Sequence, residues 1–86
     1  MIIKVTQEDI DKGMPISASF CPVALACKRV FNKDCSVTRG TGLTVYMGEE
    51  NYTWKRYKHL PYSVKSFINN FDHQFGVEPF EFELED

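Results

Sequence analysis

No stretch of this 86-residue chain is apolar for long enough to cross a bilayer, which takes about 20 residues. Nor does it show a signal-peptide pattern. Cysteine is scarce: Cys21, Cys27 and Cys35 are an odd set without paired spacing. A disulfide framework is therefore not expected, and free thiols in a reducing cytoplasm are. The same three residues lack the close ligand pairs of zinc ribbons and fingers, so no metal is expected and the thiols read as buried packing groups. Only two histidines occur, His59 and His73, and neither has a local partner that would suggest a Cys/His nucleophile. Gly40-Thr41-Gly42 lacks the Lys-Ser/Thr of a phosphate-binding loop. Linkers, repeats and low-complexity segments are absent from the sequence. These absences point to one domain over residues 1–86, with no cofactor and no enzyme activity. A chain this short also has little room for a deep cleft of its own, so a binding site is expected on the surface or between subunits.

What is present is an ordinary globular composition, 43% hydrophobic with seven phenylalanines, and a formal charge of −2. The charge is unevenly placed. Residues 28–58 carry seven lysines and arginines against three acidic side chains, whereas residues 59–86 carry one lysine against six. Such a chain is a poor candidate for generic duplex binding, which favours a strongly basic domain. A local basic patch for a small anion remains open.

The segment Ser19-Phe20-Cys21-Pro22-Val23-Ala24-Leu25-Ala26-Cys27 holds the clearest helix start. Pro22 suits the first helical position, with Cys21 or Ser19 as the cap and Ser17 and Ser19 supplying hydroxyls upstream. Val23, Ala26, Cys27, Val30 and Phe31 fall on one face, and the helix N-terminus is expected to offer free N–H groups to an anion. Before it, Ile2–Val5 reads as a strand. Thr6 caps a short helix with Ile10 inward, which Gly13 ends in a left-handed turn. After it come strands at Ser36–Arg39, Leu43–Met47 and Tyr52–Tyr57, the last two joined by a hairpin loop at Gly48-Glu49-Glu50-Asn51. Tyr52, Trp54 and Arg56 are expected on one face of that last strand. Leu60-Pro61 opens a helix with the stripe Val64, Phe67, Ile68 and Phe71, and Phe80–Leu84 alternates as a strand. The order β-α-α-β-β-β-α-β predicts an α+β fold with a mostly antiparallel sheet.

The strongest candidate site is the hairpin and the helix beside it, where Tyr46, Tyr52, Trp54 and Tyr57 interleave with Arg39, Lys55, Arg56 and Lys58, and Lys28 and Arg29 sit at the helix end. Aromatic faces stack on bases and cations hold phosphates. Ser17 and Ser19, near the helix N-terminus, complete the expected ligand set. The same residues also suit a half-exposed sheet whose aromatics pack across strands.

The segments Val5-Thr6-Gln7-Glu8-Asp9-Ile10, Cys21-Pro22-Val23-Ala24-Leu25-Ala26 and Val77-Glu78-Pro79-Phe80-Glu81-Phe82-Glu83-Leu84 together resemble a widespread group of short proteins encoded in bacteriophages and prophages. The likeness spans most of the chain, and Cys-Pro-Val-Ala-Leu-Ala is its most specific part. The resemblance carries no catalytic motif. It implies a role against host defence in the bacterial cytoplasm, of the kind filled by anti-CBASS and anti-Thoeris sponges, which are oligomers that sequester nucleotide immune signals. The expected partner is thus a small anionic nucleotide, such as a cyclic dinucleotide, held by a homo-oligomer. The alternative is a protein–protein inhibitor of a defence effector such as a CRISPR nuclease, with the acidic stretch Glu78 to Asp86 meeting a basic groove.

Overall fold

The computed structural model describes residues 1–40, 42–47 and 52–85; Thr41, the expected hairpin loop with Glu49 and Glu50, and Asp86 lie outside the described residues. The elements run β1 (Ile2–Val5), α1 (Gln7–Lys12), α2 (Pro22–Phe31), β2 (Cys35–Thr38), β3 (Gly42–Met47), β4 (Tyr52–Tyr57), α3 (Tyr62–Asp72) and β5 (Phe80–Glu83). This is the expected α+β order. The strands form two separate antiparallel sheets, β1-β5 and β2-β3-β4. β2 begins one residue early, because Cys35 pairs with Val45.

The two-stranded sheet joins the ends of the chain. Ile3 lies opposite Phe82 and Val5 opposite Phe80. Ile3, Val5 and Phe82 are buried, while Ile2, Lys4, Glu81 and Glu83 face solvent, the alternation a one-sided sheet requires. Beyond β5, the Leu84 N–H donates to the Met1 carbonyl at 2.8 Å, and Leu84 is buried.

α1 is closed by a reciprocal cap. The Asp9 N–H donates to Thr6 Oγ1 at 3.2 Å and the Thr6 N–H to Asp9 Oδ2 at 2.9 Å. Such an exchange satisfies two otherwise orphaned donors. Gly13 does end α1, but in an extended conformation, φ −69° and ψ 156°, and not in the left-handed one expected. Its role is clearance: a Cβ there would lie 2.6 Å from the Pro22 ring. The glycine thus lets the end of α1 close over the start of α2.

α2 sits at the centre. Cys21 is its cap, with Sγ accepting from the Ala24 N–H at 3.4 Å, and Asn32 ends it in the left-handed region at φ 53°. Val23, Ala24, Ala26 and Cys27 are almost wholly buried; their small side chains allow close approach to both sheets and to α1. Val30 is the exception to the expected face, at 42% exposure, because in the last turn Phe31 makes the inward contacts: its ring centroid lies 6.1 Å from that of Tyr57 and 6.2 Å from that of Trp54. α3 presents Val64, Phe67 and Ile68 to the core, where Phe67 stacks on Phe80 at 4.8 Å. All three cysteines are free and buried. Burial pushes every thiol pKa up, Cys35 to about 11 and Cys27 further, so they are un-ionised packing groups at neutral pH.

Among the described residues no helix is long and apolar enough to cross a membrane, and no cluster of His, Cys, Asp or Glu is placed to hold a metal ion.

Candidate functional site

The end of β4 and the end of β5 run along the two sides of one cleft of about 560 Å³, bordered by residues 55–61 and 83–85. Strand alternation builds it. Tyr57, Leu60 and Leu84 are buried and anchor the two walls to the core. The side chains between them, Arg56, Lys58 and His59 on one wall and Glu83 and Glu85 on the other, are exposed. Turning every second residue inward leaves its neighbours outward, so this cleft has an apolar base with a cationic side and an anionic side. Lys55 adds a further cation, its Nζ 5.0 Å from the Tyr57 ring centroid, a cation–π contact.

The basic and acidic halves of the sequence therefore meet here. Opposite charges flanking one volume favour a ligand that is itself dipolar, with an anionic end for Arg56 and Lys58 and hydrogen-bond donors for the carboxylates.

The other expected site residues are not gathered at this cleft. Ser17 and Arg39 share a smaller one of about 360 Å³ with Cys21, Ile68 and Asp72. There Ser17 Oγ accepts from the Phe20 N–H at 3.1 Å, and Arg39 Nη1 donates to Asn69 Oδ1 at 2.6 Å. Ser19 and Tyr46 border a third recess with Asp34 and Cys35, about 300 Å³ in volume. Arg29 is committed elsewhere: its Nη1 and Nη2 donate to the Asp9 carboxylate at 2.8 and 3.0 Å, and Nη2 also to the Lys4 carbonyl at 2.9 Å. The side chain of Tyr52 lies outside the described residues. The expected anion site at the start of α2 is closed, since Pro22, Val23 and Ala24 are buried and the Ala24 N–H is taken by Cys21.

Trp54 and Arg56 do not act from one face as the alternation suggested. Pairing of β3 with β4 steps from Val45–Lys55 to Tyr46–Thr53, leaving Trp54 without a partner across the ladder. A bulge of this kind re-aims a side chain. The indole packs edge-on against Phe31, which also meets Tyr57, and Lys33 Nζ lies 5.2 Å from it. Trp54 remains 49% exposed, so Trp54→Ala is expected to cost about 1–2 kcal/mol, well under the roughly 3–5 of a core tryptophan. Chemical denaturation measures this; an unfolded variant would place the indole in the core, contrary to its exposure.

The chain matches no family model, no curated protein and no solved structure. What the cleft recognises follows from its own lining. Of the residues of the expected basic-aromatic site, Lys55, Arg56, Tyr57 and Lys58 are there. Glu83 and Glu85 lie outside that basic run and join it only through the fold. The one signal for them in the sequence is the opposite charge of the two segments.

Proposed function

We propose that this chain is a non-enzymatic, phage-type anti-defence protein that sequesters a small anionic nucleotide, of the cyclic dinucleotide kind, in the cleft between β4 and β5. One observation carries the reading: Lys55, Arg56 and Lys58 line a single cleft together with Tyr57 and the apolar Leu60 and Leu84. Its volume, about 560 Å³, lies in the range of about 300–1,000 Å³ usual for small-molecule sites. Phosphate is held by Arg56 and Lys58, and the base lies against the apolar base of the cleft. The likeness of the Cys21–Ala26 segment to short phage proteins supports the anti-defence setting and the bacterial cytoplasm. A cleft open at the surface of so small a chain favours a homo-oligomer, in which a second copy covers the ligand.

Isothermal calorimetry against a panel of cyclic mono- and dinucleotides tests this. At least one is expected to bind, and Arg56→Ala is expected to weaken it about tenfold, more at low salt where the charge is less screened. Arg56 is exposed, so the variant keeps its fold. Absence of binding to the whole panel at high micromolar concentration would remove the proposal.

A second reading, inhibition of a host defence protein, draws on the exposed glutamates Glu78, Glu81, Glu83 and Glu85. A row of carboxylates suits a basic partner groove. Recovery of a stable protein partner from host lysate favours this reading, and release of a small molecule on heating the isolated protein favours the first.

A further inference from the structure

The carboxylates on the far wall of the cleft have no place in a site that reads phosphate alone. Glu83 and Glu85 are exposed and border the same volume as Arg56 and Lys58. They sit on either side of the buried Leu84, so both project to the solvent side of the wall while Leu84 is held in the core. Two negative charges beside three positive ones leave the cleft with a surplus of only about one, by count of formal charges. A ligand bearing several phosphate charges close together meets repulsion from this wall. One that brings a single phosphodiester charge and a group rich in N–H donors meets attraction from both walls.

Resting on the nucleotide reading above, we infer that the cleft is selective for a guanine-bearing phosphodiester, with Arg56 and Lys58 on the phosphate and the carboxylate of Glu83 or Glu85 on the Watson–Crick edge of the base. Guanine offers adjacent donors at N1 and N2, which match the two oxygens of one carboxylate, a charge-assisted bidentate pair. Adenine presents a donor beside an unprotonated ring nitrogen, so one of its two positions opposes a carboxylate oxygen lone pair to lone pair. Bidentate pairing of side chains with base edges discriminates by about tenfold or more. Triphosphates are disfavoured at the same site, because their added negative charge exceeds the small cationic surplus of the cleft and is repelled by the carboxylates of its other wall.

Calorimetry with 3′,5′-cyclic GMP, 3′,5′-cyclic AMP and GTP on the intact chain decides the matter. Cyclic GMP is expected to bind about tenfold or more tightly than cyclic AMP, and more tightly than GTP. In the double variant Glu83→Gln/Glu85→Gln the preference for cyclic GMP over cyclic AMP should disappear, because each amide offers one acceptor where the carboxylate offered two. GTP should gain on both, because the repelling charge is gone. Both positions are exposed, so these substitutions leave the core untouched. Equal affinity for the two cyclic mononucleotides, with Arg56→Ala weakening both, would overturn the guanine inference and leave the nucleotide reading standing. A preference for cyclic GMP that survives the double variant would overturn the assignment to Glu83 and Glu85. Failure of every cyclic mononucleotide and dinucleotide to bind would overturn both readings.

Discussion

Gly42→Ala is expected to leave the chain largely unfolded. Gly42 opens β3 at φ 83°, in the region that favours glycine, and a Cβ there would run into the Tyr57 carbonyl oxygen and lie 3.1 Å from that of Lys58. Both obstacles are backbone carbonyls, of the last residue of β4 and the residue after it, so neither can rotate aside. Strain at positive φ costs about 1–3 kcal/mol, and moving β4 to relieve the collision would unseat Tyr57, which is buried opposite Leu43. Together the cost should reach at least about 4 kcal/mol, most of the stability of a small domain. In a circular-dichroism melt this appears as loss of the cooperative transition or a drop of about 20 °C. Gly40→Ala is the control: nothing lies within 4 Å of its added Cβ, and its melting point should stay near that of the wild type. If Gly42→Ala also melted with the wild type, the described β3–β4 register could not hold.

Arg29→Ala is expected to cost about 2–4 kcal/mol at pH 7, a loss that narrows in acid. The Asp9 side chain is only 6% exposed, while that of Arg29 is 51% exposed. Burial by itself would raise the Asp9 pKa; the paired guanidinium of Arg29 and the Thr6 N–H overcome it and hold the carboxyl below its ordinary value. A depressed folded-state pKa contributes stability above the unfolded value of about 3.9, and that contribution is lost as the pH falls through the lower folded value. Without Arg29 the burial effect dominates, the folded pKa rises, and the variant instead loses stability as the pH climbs past about 4. Removing one partner of a buried pair typically costs about 3–5 kcal/mol; the range here is lower because water reaches the half-exposed guanidinium side. Urea denaturation of both proteins at pH 7 and pH 3 reads the difference. A gap that does not change with pH would mean that packing of the arginine stem, and not its charge, is what Asp9 requires.

The fold was legible where a local rule acts alone. Thr6 and Asp9 form the cap their spacing announces, Pro22 starts α2 and Cys21 caps it, and the stripe Val64, Phe67 and Ile68 turns inward as its period requires. Local rules fail where a second segment decides. Gly13 reads as a left-handed stop because glycine usually serves that way, yet its position is set by a ring nine residues onward. Trp54 reads as the neighbour of Arg56 because alternation assumes an unbroken ladder. One extra residue in β4 turns the indole to Phe31, and no local pattern in Tyr52–Tyr57 marks that bulge.

Composition, periodicity and capping residues by themselves determined the order of the elements, their approximate bounds, most of the inward face of α2 and of α3, and the burial of the three thiols. Those properties depend on interactions within a few residues, or on the transfer of apolar side chains out of water. Only the tertiary structure decided that the strands divide into two sheets, that β1 closes on β5 across almost the whole chain, that Arg29 is bound to Asp9, and that Arg56, Glu83 and Glu85 border one cleft. Each of those is a pairing between segments far apart in the chain. A side chain carries its charge and its hydrogen-bonding groups in its own chemistry, but its partner is selected only when the packed core sets the distance between them.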